Sequence, residues 1–335
     1  MADNCIIKAA GIIQAGGLVS FPTETVYGLG ADAFNPSAVA AVYAAKGRPS
    51  DNPLILHVAS MPQVLSLIEP LPGCALALVR HFWPGPLTII AQKKSSIPTW
   101  IGGHPNHSTQ TIGIRMPSHP VAMDFLRVVG CPVVAPSANK SGRPSPTTLR
   151  HVHDDFLETG EIGFMLDGAG SEIGIESTVV DVTGEKPIIL RHGAITEEMI
   201  GDVTGLGLDT TKNDTEPPRA PGMKYRHYAP KAPMTVCCGN PRHIAQYIAT
   251  HCTDNLVGLL VSEAVQKLLP SGHTFAVKTL SNNPNEVARD LFANLRYFDD
   301  MAVTQIFAEG VPLTGLGMAI MDRMGKAAEG NIIHL

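Results

Sequence analysis

The chain has 335 residues, long for a single domain, so two domains are the first expectation. A hydrophobic content of 44% with 16% charged residues supplies ordinary cores and excludes a disordered chain, while a formal charge of −5 argues against a broad nucleic-acid-gripping surface and leaves room for a local basic pocket. No apolar run approaches the roughly 20 residues of a membrane-spanning helix, so no stable membrane contact is expected.

The N-terminal stretch lacks the basic start and apolar run of a signal peptide. It reads as an amphipathic helix with Ile6, Ala10 and Ile13 on one side, ended by Gly16-Gly17. Leu18 to Phe21 is a short strand stopped by Pro22. Thr23, Glu24, Thr25 and Tyr27, set against Gly28 and Gly30, then form a tight loop too polar and too small for a core. Asn35 caps a helix that Pro36 opens, with Val39, Val42 and Tyr43 on one face. Lys46-Gly47-Arg48-Pro49 ends it, and Asn52-Pro53 leads into the strand Leu54 to Val58, which carries His57. Hydroxyls followed by paired cations suit a small polar molecule beside a phosphate, although cations are also favoured at any helix C-terminus.

Strands and amphipathic helices keep alternating, the pattern of an α/β or α+β domain. Leu76, Val79 and Trp83 mark a helix ended by Pro84-Gly85-Pro86, and Leu87 to Ala91 is a strand. Residues 93–110 read as loop, anchored by Ile97, Trp100 and Ile101, before the strand TIGIRM, which begins at Thr111 and holds Arg115 near its end. Pro120 opens a helix with Val121, Phe125, Val128 and Val129 as its apolar face and Gly130 as its stop. The strand Pro132 to Ala135 runs into Pro136-Ser137-Ala138-Asn139-Lys140-Ser141-Gly142, a polar loop beyond a buried strand, where ligands commonly bind in open α/β sheets. A plain turn capping the helix that begins near Thr147 explains the same residues. Two further features are Ser177, a hydroxyl at a strand start, and Arg191, a cation at a strand end.

From Gly201 to Pro233 the pattern dissolves into Gly, Asp, Thr and Pro, as in an interdomain linker. Its second half holds Tyr225, His227 and Tyr228, whose flat rings could cover a bound nucleotide or simply dock the linker. A second alternating series from Met234 predicts a small parallel α/β domain without an obvious catalytic set. The division expected is therefore 1–200, a catalytic domain, 201–233, a linker, and 234–335, a second domain.

No Gly-x4-Gly-Lys-Ser/Thr loop or Gly-x-Ser-x-Gly elbow is present, and Gly315-Leu316-Gly317 lacks the third glycine of a dinucleotide fingerprint. His104, His107, His151 and His153 have no zinc spacing, and no metal site is expected from them. The six cysteines, Cys5, Cys74, Cys131, Cys237, Cys238 and Cys252, show no Cys-x-x-Cys pair and suit reduced thiols in a cytoplasmic protein.

The motifs PTETVYGLG, KGRP and NPL, followed in order by STQTIGIRMP, APSANKSGRPSPT, IGIESTVVD and ILRHGAI, resemble those of the YrdC-type threonylcarbamoyl-AMP synthases. APGMKYRHYAP and GLGMAIMDRMGKAA resemble the long, two-domain form, so the likeness spans nearly the whole chain. The resemblance implies an α/β fold: a twisted, partly parallel sheet with helices around a concave cavity, joined to a smaller Rossmann-like parallel α/β domain. It implies the reaction of L-threonine, bicarbonate and ATP to threonylcarbamoyl-AMP and pyrophosphate, with ATP as substrate, Mg2+ held mainly by its phosphates, and a separate transferase moving the group to adenosine beside the tRNA anticodon. tRNA itself would not be bound tightly by this chain.

The site residues implied for threonine are Thr25, His57, Arg115, the backbone at Ala135 and Ser177. Those implied for ATP are Lys46, Arg48, Asn52, Thr111, Ser137, Asn139, Ser145 and Arg191. Lys46 and Arg48 would supply fixed positive charge to the departing pyrophosphate, without a protein nucleophile. The linker would act as an active-site lid through Tyr225, His227 and Tyr228. Two other readings are a carbamoyl-transfer module of the hydrogenase-maturation type, whose Cys-x-x-Cys motifs are missing, and a double-stranded RNA-binding translation or ribosome-assembly factor, which the acidic charge disfavours.

Overall fold

Short apolar runs and amphipathic stretches resolve into a chain of alternating strands and helices in a computed structural model that describes residues 2–156, 160–207, 227–252, 256–270 and 275–335. Two compact units result, Met1–Ser141 with Ser145–Tyr225, and Gly142–Pro144 with Arg226–Leu335.

In the first unit the order is α1 (Ala2–Gln14), β1 (Val19–Phe21), β2 (Gly28–Asp32), α2 (Pro36–Lys46), β3 (Ile55–His57), α3 (Met61–Leu67), α4 (Gly73–Phe82) and β4 (Leu87–Gln92). It continues with β5 (Thr111–Arg115), α5 (Pro120–Val129), β6 (Val133–Val134), α6 (Leu149–Phe156), β7 (Phe164–Met165), β8 (Thr178–Asp181), β9 (Ile188–Arg191) and α7 (Glu197–Thr204). Among the described residues these strands form one nine-stranded sheet in the order β7-β1-β2-β6-β3-β5-β4-β8-β9. It is partly parallel, as expected: β3 runs with β5 and β4 with β8, while β4–β5 and β8–β9 are antiparallel.

Because successive side chains alternate between faces, register decides what each face carries. Leu29, Val134, Leu56, Ile112, Ile114, Ile89 and Val180 point to one side, into a core shared with Val42 of α2, Val64 of α3, Leu78 of α4 and Ile200 of α7. On the other face, Val19, Phe21 and Val133 are covered by α1 and α5 through Ile13, Ala122 and Phe125. Further along the same face lie His57, paired in register with Arg115, then Thr88, also opposite Arg115, and Val179, opposite both Thr88 and Arg191. A polar strip thus begins where the helical cover ends.

The stretch Gly28–Asp32 corrects the reading of that region as all loop: it is a strand with Gly28, Leu29, Gly30 and Ala31 buried. Its small residues are what the packing demands, since a Cβ on Gly30 would lie 3.0 Å from both Phe21 and Val133. The pattern also persists beyond Gly201, because α7 is capped by Thr196 and runs to Thr204 before Gly205 closes it in a left-handed conformation. On α5 the buried face is Ala122, Met123, Phe125, Leu126 and Val129, and Val128 is exposed.

The second unit runs β10 (Met234–Cys238), α8 (Pro241–His251), β11 (Val257–Val261), α9 (Glu263–Gln266), β12 (Phe275–Thr279), α10 (Pro284–Asp300), β13 (Gln305–Glu309), α11 (Leu316–Ala327) and β14 (Ile332–His334). Its strands are all parallel, in the order β12-β11-β13-β10-β14, with α8 packed on α9 and α10 on α11. Gly142–Pro144 belongs here: Ala229 N donates to Gly142 O at 2.9 Å and Arg296 Nη2 to Pro144 O at 2.6 Å. Tyr228 is buried, stacked on Phe292 at 5.1 Å with Arg323 5.7 Å from its ring centre. That residue anchors the chain to this unit, whereas Tyr225 lies outside the described residues.

Candidate active site

Helix α2 delivers the first two cations. Asn35 accepts from the N–H groups of Ser37 and Ala38, fixing one end, and Gly47 at φ 60° terminates the other by donating back to Tyr43 and Ala44 carbonyls. Lys46 is thereby buried, with Nζ donating at 2.5 Å to the carbonyls of both Ser137 and Asn139. Burial, then the like charges of Arg48 and Lys140, push its pKa well below the ordinary lysine value, while Asp155 and Glu176 oppose the shift. Arg48 turns back on its own loop, donating to Asn52 O at 3.2 Å and Pro53 O at 2.8 Å. Two cationic side chains thus lie close together at this end of α2.

The loop after β6 folds over this end of α2. Ser137 bridges to Gly28, Asn139 donates through Nδ2 to Lys140 O at 2.8 Å, and Ser145 Oγ donates to Glu176 Oε1 at 2.5 Å. Glu176 precedes Ser177, so the loop is tied to the start of β8. Ala135 N donates to Ile55 O at 3.0 Å and closes the gap between β3 and β6.

On the sheet's polar strip the groups are in direct contact. Arg115 Nη1 donates to Thr25 Oγ1 at 2.8 Å, and Nη2 lies 2.6 Å from Glu24 Oε1. Ser177 Oγ is 2.8 Å from Thr88 Oγ1 and accepts from Arg191 Nη2 at 3.1 Å. The approach of β9 to Ser177 depends on Gly193, where a Cβ would sit 2.4 Å from Thr178 N and 2.7 Å from the Ser177 carbonyl carbon. His57 is buried between strands, and desolvation followed by the charge of Arg115 lowers its pKa to about 3, so its imidazole is neutral. Thr111 shares the face of Arg115 but lies four residues, about 13 Å, along β5.

Two groups of the expected residues are therefore assembled: Thr25, Arg115 and His57 with Ser177 and Arg191 on the strip, and Lys46 with Ser137 and Asn139 at the end of α2. Thr111 has no hydrogen bond among them in the contacts described. Sequence reasoning assigned no role to Thr88, Glu24 or Glu176. Thr88 had one signal, a lone hydroxyl in the apolar run LTIIA. No group of three or more His, Cys, Asp or Glu able to hold a metal occurs among the described residues.

The family description "Telomere recombination", covering the Sua5, YciO and YrdC proteins, matches residues 11–193, and "Threonylcarbamoyl-AMP synthase, C-terminal domain" matches 195–329. The chain is 43% identical over 337 residues to a threonylcarbamoyl-AMP synthase of Bacillus subtilis (strain 168), covering 99% of this chain and 95% of the relative. It is 42% identical to one from Pyrococcus abyssi (strain GE5 / Orsay), covering 98% and 95%. The crystal structure of P. abyssi Sua5 complexed with L-threonine superimposes with a TM-score of 0.88 at 41% identity, over 98% of this chain and 96% of that one. A two-domain α/β synthase is the class that fold and comparisons define. The chain belongs to the threonylcarbamoyl-AMP synthase family, and its activity is the synthesis of L-threonylcarbamoyladenylate. An RNA-binding factor without this activity is not favoured.

Proposed function

We propose that the chain makes threonylcarbamoyl-AMP from L-threonine, bicarbonate and ATP with release of pyrophosphate, the product then serving a tRNA-modifying transferase in the cytoplasm. The observation that carries this reading is the contact chain from Thr25 through Arg115 on one side and from Thr88 through Ser177 to Arg191 on the other, on a single face of the sheet. Arg115 is assigned to the threonine carboxylate, and Thr25, Ser177 and neutral His57, with the backbone at Ala135, to its hydroxyl and amine. A site built to bond a hydroxyl rejects an analogue that lacks it, because its own buried polar groups are then left unpaired.

Lys46, Arg48, Asn52, Thr111, Ser137, Asn139, Ser145 and Arg191 are assigned to ATP. Attack on the α-phosphate places charge on departing pyrophosphate, which buried cations held by Gly47 and the 136–145 loop stabilise without reorganising. Among the described residues no group of three or more His, Cys, Asp or Glu could cage Mg2+, so the ion is assigned to the ATP phosphates.

The test is pyrophosphate release from ATP by the purified chain with threonine and bicarbonate each omitted in turn. Release that requires both, with serine a poorer substitute for threonine, is the expected result. ATP turnover indifferent to threonine would overturn the proposal.

A further inference from the structure

Arg115 already holds a carboxylate. Its Nη2 is 2.6 Å from Oε1 of Glu24, Nη1 donates to Thr25, and Nε donates to Gly85 O at 3.3 Å. Both partners of the ion pair are buried, and neither oxygen of Glu24 has a hydrogen-bond donor beyond that pairing among the described residues. A buried carboxylate resting on one cation and no other donor is weakly held, because its remaining lone pairs have lost water without replacement.

The backbone around it is pinned. Glu24 O accepts from Ile173 N at 2.8 Å, and Thr23 Oγ1 donates to Val26 O at 2.6 Å while accepting from the N–H groups of Thr25 and Val26. Only the Glu24 side chain is left to move.

Threonine presents a second carboxylate for the same guanidinium, and with it a protonated amine that cannot be a nucleophile until it loses a proton. Few groups assigned to threonine can take that proton. The hydroxyls of Thr25 and Ser177, the Ala135 backbone and the Arg115 guanidinium are not bases at neutral pH. His57 is buried against the charge of Arg115, and a second positive charge there is disfavoured.

We propose that Glu24 is the resident counter-ion of Arg115, that the carboxylate of threonine displaces it, and that the freed Glu24 carboxylate then accepts the proton of threonine's ammonium. In that step one N–H bond breaks and one O–H bond forms on Glu24; the lone pair left on nitrogen then forms the N–C bond to the carbon of bicarbonate as its C–OH bond breaks, and the departing hydroxide takes a second proton from the nitrogen and leaves as water. The ammonium is one carbon from the carboxylate that has taken Glu24's place, so the displaced group is left beside it. A buried carboxylate separated from its cation favours the protonated form, which drives the transfer. The inference rests on the assignment of Arg115 to threonine.

Threonine titration calorimetry and pyrophosphate release on the full chain test it with Glu24→Gln and Glu24→Asp. Without the competing charge, Glu24→Gln is expected to bind threonine about tenfold more tightly yet turn over about a hundredfold more slowly at saturating threonine. Glu24→Asp, with a carboxylate on a shorter arm, is expected to bind threonine more tightly and to lose less turnover than Glu24→Gln. Affinity and turnover falling together would mean that Glu24 merely holds Arg115 in place and would overturn the proposal, as would two variants indistinguishable from wild type. Should Glu24→Gln fail to fold, unchanged or weakened threonine affinity in Glu24→Asp is the overturning result. Undiminished threonine binding by Arg115→Ala would instead locate the failure in the assignment of Arg115.

Discussion

At the scale of single residues, burial sets the chemistry. His57 takes up a proton in the unfolded chain as pH falls through 6.5, but in the folded chain only near 3. Stability that depends on neutral His57 is therefore fully present above pH 6.5 and is lost as pH falls below it, at about 1.4 kcal/mol per pH unit. The urea midpoint of the wild type is expected to fall between pH 6.5 and 4, and His57→Gln to flatten that slope. Gly193 poses a steric rather than a charged constraint. Backbone atoms surround its missing Cβ and cannot swing aside, so Gly193→Ala is expected to cost about 1–3 kcal/mol. Because the displaced atoms belong to Ser177 and Thr178, the same variant should raise the threonine KM, read from pyrophosphate release at varied threonine.

At the scale of elements, the proposed assignment of Lys46 and Arg48 to ATP would tie stability to nucleotide handling at only one end of α2. Asn35→Ala removes the acceptor for two N–H groups and is expected to cost about 1 kcal/mol in chemical denaturation while leaving the ATP KM unchanged. Gly47→Ala forces a side chain to φ 60° between Lys46 and Arg48, and is expected to cost about 1–2 kcal/mol and also to raise the ATP KM. This helix was readable in full from the sequence, because cap, opening proline and closing glycine are each local signals. β2 was not, since glycines that a sheet needs for close approach look the same as glycines that a turn needs for freedom. The contact residues followed the same division: Lys46 and Arg115 stood out as cations at element ends, whereas Thr88 acquires meaning only from the strand that lies opposite it. Nor does any pattern in the sequence announce that Gly142–Pro144 packs with a helix some 150 residues further on.

At the scale of the whole molecule, the described residues include no group of three or more His, Cys, Asp or Glu that could cage a divalent ion. Chelation is therefore expected to stop pyrophosphate release while leaving the melting temperature of the ligand-free chain within about 1 °C. A larger drop in a melting scan with chelator would reveal a structural ion held by protein groups.

The two sheets also differ in what lies at their margins. The larger one ends in β7, two residues long, and β9, four residues long, while the smaller one ends in β14, three residues long, and in β12, Phe275–Thr279. Short margins give an incoming strand too few main-chain groups to register against, so aggregation by strand addition is confined chiefly to β12. Lys278, whose ammonium lies 3.9 Å from the ring centre of Tyr297, gives that margin a charged residue of the kind that discourages such addition. Self-association by strand addition at β12 is therefore expected to rise when Lys278 is neutralised, which light scattering of Lys278→Ala against the wild type would read.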